Sequence, residues 1–261
     1  MIKLSIITIN LNNKKGLEKT IQSILSQTYS NYEYIIIDGH SIDGSVDLIK
    51  DIEKNVNYWI SEADDGIYQA MNKGIEQAKG EYFLFLNSGD ELISDNILEE
   101  IFKETHLQDI IYGDIAYQDK SGTKIITSLP ERLNLQYFYN ASLWHQAAFI
   151  KRGLFEKYGG YNENNKLVSD WEFFLKRIII DKCSYKKINQ VVTYYDMYNG
   201  LSIKYSDLRI KEMKDIFVQL FPSYILELVE DHLLIQSEIQ EIRQSVFYRL
   251  YRKYNKLKKH I

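Results

Sequence analysis

The chain is poor in residues that stiffen or cross-link a backbone, with one cysteine, Cys183, and two prolines, Pro130 and Pro222, among 261 residues. A lone thiol excludes an intrachain disulfide framework and a cysteine-rich zinc site, and it is compatible with a reducing compartment. Long apolar runs are also missing. No segment approaches the roughly 20 residues needed to span a bilayer, and Met1 leads into a strand-like segment without a basic, apolar leader, so a cytoplasmic protein is expected. Charge of one sign is absent overall: 32 basic against 36 acidic residues leaves no footprint for nucleic acid, and no such partner is expected. No Gly-x-Gly-x-x-Gly follows an early strand, which removes the dinucleotide-binding fingerprint. There is no low-complexity tract and no Pro- or Gly-rich linker. What is present is 45 % hydrophobic content, enough for a sizeable core in one α/β domain with or without an appendage.

The apolar residues are arranged as strand, polar loop and helix in succession. Leu4 to Ile9 is β-rich, Asn10 to Gly16 is polar, and Leu17, Ile21, Ile24 and Leu25 recur at helical spacing. Tyr34 to Ile37, Asp38 to Gly44 and Val46 to Ile52 repeat the unit. Tyr58 to Ile60 leads through Glu62 to Gly66 into a helix with the stripe Ile67, Ala70, Met71, Gly74, Ile75 and Ala78. Repeated βα units imply a mostly parallel, Rossmann-like central sheet with flanking helices. Tyr82 to Leu86 then reads as a strand buried on both faces, broken by Asn87-Ser88-Gly89-Asp90. Ligands of open α/β sheets gather beyond the carboxyl ends of the strands, where Asp90 would sit, although Ser94 or Asp95 capping the next helix explains the same loop without a ligand. Past residue 104 the pattern changes, with strands at Ile110 to Tyr117 and Lys124 to Thr127 around an Asp119 hairpin signal, and another near Trp144 to Ile150.

Six stretches in order, Ser5-Ile-Ile-Thr-Ile-Asn, Ser23-Ile-Leu-Ser-Gln-Thr, Ile37-Asp-Gly-His-Ser-Ile-Asp-Gly-Ser, Gly66-Ile-Tyr-Gln-Ala-Met-Asn-Lys-Gly, Ala78-Lys-Gly-Glu-Tyr and Leu86-Asn-Ser-Gly-Asp, resemble family 2 glycosyltransferases over roughly residues 3 to 204. The resemblance implies an A-type glycosyltransferase fold for residues 1–206 with a C-terminal helical extension, 207–261. It also implies an inverting transfer from a nucleotide-diphosphate sugar, with a UDP-sugar expected, to a saccharide or lipid-linked saccharide in surface polysaccharide or glycolipid synthesis. Carried over by position, it makes Asp90 the ligand of a divalent metal, Mn or Mg, and Asp170 the catalytic base. It assigns Thr8, Asn10, Asp38, Asp65, Asn72 and Ser88 to the nucleotide, and places His145, Gln146 and Trp171 in the cleft or against the acceptor. The chain departs from the family pattern twice: only Asp90 remains where many members carry Asp-x-Asp or a double aspartate, and Gly39 stands where a second acid commonly follows the second strand.

These residue types suit the chemistry. A diphosphate leaving group gathers negative charge that a metal ion can share, and the acceptor hydroxyl must lose a proton to a base on the opposite face of the sugar. From pattern alone, Ser169 would cap a helix whose Trp171, Phe174, Leu175 and Ile178 are buried, leaving Asp170 in the first turn, where a carboxylate also favours the helix dipole. Trp144, Tyr112 and Tyr137 can stack on sugars, but among 21 tyrosines a single aromatic is more often packing. Two alternatives remain at this stage: a sugar-1-phosphate nucleotidyltransferase, disfavoured because Asn10 to Gly16 holds only one glycine, and a catalytically inactive nucleotide-sugar-binding assembly subunit. The last segment, 243–261, carries seven basic residues and no acid, with Phe247, Leu250, Tyr251, Tyr254 and Leu257 on one stripe. It can either contact an anionic membrane peripherally or dock on the domain.

Overall fold

The computed structural model describes residues 2–119, 121–196 and 204–245. The chain divides into two compact units, residues 1–212 and 213–261. In the first, β1 (Leu4–Asn10), α1 (Lys14–Leu25), β2 (Tyr32–Asp38), α2 (Ser45–Asp51), β3 (Tyr58–Ser61), α3 (Ile67–Gln77) and β4 (Tyr82–Phe85) realise the βα rhythm. They are followed by β5 (Glu91–Leu92), α4 (Ile97–Phe102), β6 (Ile110–Gln118), β7 (Lys124–Thr127), α5 (Leu135–Asn140), β8 (Ala148–Lys151), α6 (Arg152–Tyr158), α7 (Ser169–Leu175) and β9 (Tyr185–Tyr194). The strands form one 9-stranded sheet in the order β3-β2-β1-β4-β8-β6-β9-β5, with β7 paired to β6. Pairing is parallel from β3 to β4, as the repeated units require. Beyond β4 the sheet is mixed, because β8 lies antiparallel to both β4 and β6.

Every residue of β1 is buried. One face takes Leu17, Ile21 and Ile24 from α1 into the main core. The other is approached by α3, where a Cβ on Gly74 would stand 2.4 Å from Ile7 Cγ2, so only glycine lets that helix lie so close. At the opposite end from the loops that hold the candidate site, Glu33 is buried and compensated: Ser5 Oγ (2.6 Å) and the Gly80 amide (3.0 Å) donate to its carboxylate. The second unit contains the end of α8 (Ser206–Leu220) and all of α9 (Ser223–Gln244), which starts after Pro222. Apart from Arg243 to Ser245, the basic segment 243–261 lies outside the described residues.

Gly80 supplies a test of how tightly β1 is locked. A methyl group there would meet the Ser5 backbone nitrogen at 2.5 Å, and backbone in a central strand cannot step aside. Gly80→Ala should therefore lower unfolding free energy by about 1–3 kcal/mol in urea titrations, the usual cost of overpacking. A loss below about 0.5 kcal/mol, the range of a neutral surface change, would mean that the strand shifts freely.

Candidate active site

Parallel register brings the ends of three strands level: Asn10 pairs with Asp38, and Asp38 with Ser61. Asp38 is fully buried, yet four groups donate to its carboxylate: Asn10 Nδ2 (2.8 Å) and Ser41 Oγ (2.6 Å) to Oδ1, the Ser41 amide (2.9 Å) and Ser61 Oγ (2.6 Å) to Oδ2. Burial alone would raise its pKa; the bonds from Ser41, Ser61 and Asn10 outweigh it and hold the pKa below the ordinary value. With Asp38 so occupied, Asn10 Oδ1 is the acceptor left over, buried and without a partner among the described residues. Asp43, in the same motif, is architectural: it accepts from the Lys14 amide (2.7 Å) and from Ser45 Oγ (2.6 Å), tying the starts of α1 and α2 together.

The loop after β4 turns at Ser88-Gly89, with Gly89 at φ 109° and the Asp90 amide donating to the Asn87 carbonyl (2.9 Å). Only glycine adopts that φ at little cost. Thr20 braces the turn from α1, its hydroxyl donating to the Asp90 carbonyl (2.7 Å) and accepting from the Gly89 amide (2.9 Å). Asp90 itself is 4 % exposed. Antiparallel pairing of β5 with β9 sets Glu91 beside Tyr194, and two residues on, the Asp196 amide donates to Asp90 Oδ1 (3.2 Å). A Cβ built on Gly89 would lie 3.0 Å from Asp196 Oδ2, so the second carboxylate flanks the same turn. Burial pushes the Asp90 carboxyl up to about 7, with Asp196 adding to the rise and the nearby His145 charge opposing it.

Asp170 projects from the first turn of α7 and is held from two sides. Tyr68 Oη donates to Oδ1 (2.8 Å), and His145 Nδ1 bonds Oδ2 (2.9 Å). His145 reaches it from a 3₁₀ turn, His145–Ala147, that leads into β8 beside the end of β4, and its Nε2 lies 3.2 Å from Asn87 Nδ2. A chain of contacts thus runs Asn87, His145, Asp170, Tyr68 across the sheet edge. The side chains of His145 and Asp170 are 16 % and 15 % exposed, enough to meet a ligand. Burial would neutralise both. Instead, the bond and charge of His145, with Tyr68, keep Asp170 below its ordinary pKa, while the Asp170 bond and the charges of Asp170 and Asp90 lift His145 above its own. Each of the two groups thus favours the charged form of the other.

Other residues singled out from the sequence lie elsewhere in this arrangement. Thr8 is completely covered, donating to the Leu86 carbonyl (2.8 Å) and accepting from Tyr34 (3.2 Å), so it braces strands and does not line the open edge. Trp171 is 2 % exposed and its Nε1 donates to the Phe138 carbonyl (2.8 Å), which makes it core packing and corrects the expectation of an acceptor contact. Ser169 does not cap α7; it is the first helical residue after Val168, whose side chain makes no capping bond. Asn72 clamps the loop before α7, its amide group bonding the Tyr161 carbonyl (2.9 Å) and amide (2.8 Å). Asp65 is exposed beside the start of α3, Ser88 is half-buried with its carbonyl held by Asn13 (2.9 Å), and Gln146 is buried behind His145. Tyr112 is buried with its hydroxyl on the Pro130 carbonyl (2.6 Å), a packing role. Two residues of the site went unread in the sequence. Tyr68 had a signal, the Gly66-Ile-Tyr motif at a helix start, but hydrophobic spacing passed over it. Asp196 had none, since only the β5–β9 pairing places it.

The family model for glycosyl transferase family 2 matches residues 5–159, more than half of the chain. The chain belongs to glycosyltransferase family 2. As a family 2 glycosyltransferase it is 29 % identical over 204 residues to a PGL/p-HBAD biosynthesis glycosyltransferase of Mycobacterium bovis (strain BCG / Pasteur 1173P2), covering 76 % of this chain and 78 % of that one. It is 30 % identical over 200 residues to an uncharacterized glycosyltransferase of Mycobacterium tuberculosis (strain CDC 1551 / Oshkosh), covering 74 % of each. Its fold is similar to that of S. aureus TarS residues 1–349, solved with UDP-GlcNAc, at TM-score 0.63 and 18 % identity, spanning 78 % of this chain but only 61 % of that one. The mannosyltransferase PcManGT of Pyrobaculum calidifontis, solved with GDP-Man and Mn2+, aligns at TM-score 0.60 and 14 % identity over 95 % of this chain and 82 % of that one. These glycosyltransferase structures place the fold in the A-type class. The nucleotidyltransferase alternative gives way to the family assignment.

The burial of Asp90 has a measurable cost in this glycosyltransferase. A carboxyl whose folded pKa is raised stabilises the fold fully below its unfolded pKa and loses that contribution as pH climbs through the folded value, here about 7. In chelator, Asp90→Asn should therefore gain on the wild type as pH rises from 5 to 8, by about 1.4 kcal/mol for each pH unit from 5 up to the folded value of about 7. Thermal unfolding at both pH values reads it. Parallel pH dependence of the two proteins would mean that Asp90 is solvated normally.

Proposed function

We propose that the protein transfers a sugar from a nucleotide-diphosphate sugar, with a UDP-sugar as the expected donor, to a saccharide or lipid-linked saccharide with inversion. The observation that carries the reading is the placement of two differently tuned carboxylates, Asp90 and Asp170, on either side of His145 at one sheet edge. Divergent pKa values in neighbouring acids are the usual mark of divided roles. Support for the donor class comes from the nucleotide-sugar complexes of the two structural neighbours. On the nucleotide side, Asn10 Oδ1 offers its unsatisfied acceptor to a base N–H, while Asp38 and Ser41 keep Asn10 in place. Asp65 and Ser88 stay with the nucleotide in this reading, whereas Asn72 has its amide spent on the Tyr161 backbone.

A divalent metal suits the residues on the other side. Asp90 is a buried carboxylate short of positive charge, and Asp196 adds a second hard oxygen donor beside it, the ligand type that Mn and Mg prefer. Held by Asp90 and Asp196, such an ion would supply Lewis-acid neutralisation of the diphosphate. The acceptor hydroxyl gives its proton to Asp170 as its oxygen attacks the anomeric carbon, and the bond from that carbon to the diphosphate breaks with its electron pair leaving on the phosphate oxygen. Because Tyr68 and His145 keep Asp170 ionised, the base is in its active form at neutral pH. General-base catalysis of this kind is worth about 10²- to 10⁴-fold. The seven basic residues of 243–261 support a peripheral contact with an anionic membrane, where a lipid-linked acceptor would be presented.

The test separates binding from rate. Asp170→Asn should leave donor affinity, read by thermal shift with UDP-sugars and manganese, close to wild type and lower transfer by about 10²-fold or more. Loss of donor binding together with rate, in a folded variant, would move Asp170 to the nucleotide side. Binding without transfer or donor hydrolysis by the wild type would favour the inactive subunit.

Tyr68 is read through Asp170. Tyr68→Phe removes a donor from the carboxylate, so its pKa should rise and the acidic limb of the rate–pH profile should shift to higher pH, with donor binding unchanged. An unmoved limb would reduce Tyr68 to packing.

A further inference from the structure

The imidazole of His145 is gripped at both nitrogens, by Asp170 at Nδ1 (2.9 Å) and by Asn87 at Nε2 (3.2 Å). An ionised carboxylate only accepts hydrogen bonds, so Nδ1 carries a proton. The state of Nε2 then follows the charge of the ring: a neutral ring offers a lone pair there, a charged ring a second N–H. Asn87 sets its Nδ2, a donor, toward Nε2, while its Oδ1 is buried and has no partner among the described residues. That arrangement suits only a neutral ring. The surroundings favour the charged one: burial opposes it, but the bond and charge of Asp170 on α7 and the charge of Asp90 on the loop after β4 outweigh burial. Tyr68 and Tyr161 lie beside Asp170, and Tyr195 and Asp196 follow β9, with the Arg209 guanidinium of α8 acting on Tyr195.

A half-turn about the Cβ–Cγ bond of Asn87 exchanges the two ends of its amide and removes the conflict. It replaces a donor set against a charged donor with a charge-assisted bond, about twice as strong as a neutral one, and employs the acceptor that otherwise goes unused. The backbone of Asn87 stays fixed, because its carbonyl accepts from Thr20 Oγ1 (3.2 Å) and from the Asp90 amide (2.9 Å). We infer that Asn87 is a positioning residue, whose Oδ1 accepts from His145 Nε2–H and so holds the charged ring on Asp170. Its effect on the reaction rests on the reading of Asp170 as the base; the bond to His145 does not.

The test is the direction in which His145 titrates. If Oδ1 accepts from the charged ring, Asn87→Leu removes support from that form, and the His145 pKa falls by about one unit. If Nδ2 donates to a neutral ring, the same substitution raises the pKa. NMR titration of the full chain in chelator reads the sign, with the ring resonance identified by its loss in His145→Gln. The wild type gives a second reading: at pH 6, long-range proton–nitrogen spectra should show protons on both ring nitrogens. A pKa that rises or stays in Asn87→Leu, or a bare Nε2 in the wild type, overturns the inference. In the manganese-loaded enzyme Asn87→Leu should also move the acidic limb of the rate–pH profile to higher pH, with UDP affinity unchanged. An unmoved limb beside a lowered His145 pKa would support the bond and count against Asp170 as the base.

Discussion

The parallel pairing of β1 between β2 and β4 is the constraint from which the rest follows. Because β1 is buried along its whole length, its register with both neighbours cannot slip without turning apolar side chains away from the helices that cover them. Asn10, Asp38, Ser61 and the turn before Asp90 are therefore delivered to one edge by rigid strands, while the loops that carry them remain free to vary. The second half of the domain is attached to the same edge by β8 on β4 and β9 on β5, and these antiparallel pairings import His145 and Asp196.

Three ionisable groups at that edge are tuned against one another. Burial pushes Asp90 toward neutrality against the opposing charge of His145, while His145 and Asp170 secure each other's charged forms. His145 lies within electrostatic reach of both acids, so the sides assigned to leaving group and acceptor are electrically linked through one imidazole. Asn87 joins the β4 loop to this group and Tyr68 joins α3 to it, which makes the setting of Asp170 dependent on both elements.

Much of the N-terminal half was legible in the sequence because its signals are local. Alternating βα units fix a parallel sheet, and the apolar run Tyr82 to Phe85 with its Ser88-Gly89 turn fixes where Asp90 emerges. Residues whose role depends on distant partners were less legible. Thr8 and Trp171 are polar or aromatic residues near family-like motifs, yet their hydrogen-bonding groups are spent inside the core on Leu86 and Phe138. Tyr68 lay outside the expected buried stripe of α3, and nothing in its neighbourhood announces a partner more than a hundred residues away. Asp196 follows a strand whose mate, β5, is two residues long, too short to be read from periodicity.

The glycine at position 39 carries a last consequence. A Cβ there would stand 3.2 Å from Asp64 Oδ2, a carboxylate that reaches in from the loop after β3 and is paired with Lys73 at 2.6 Å. An acid following Asp38 would be driven against Asp64, so the two positions compete for one space and one negative charge. Along the chain no acid follows Asp38 directly; in three dimensions the neighbourhood is occupied by a carboxylate all the same, supplied by the loop after the adjoining strand and carrying its own counter-ion. Changes at 39, 64 and 73 in related chains should then travel as a set, with charge conserved by place and not by position.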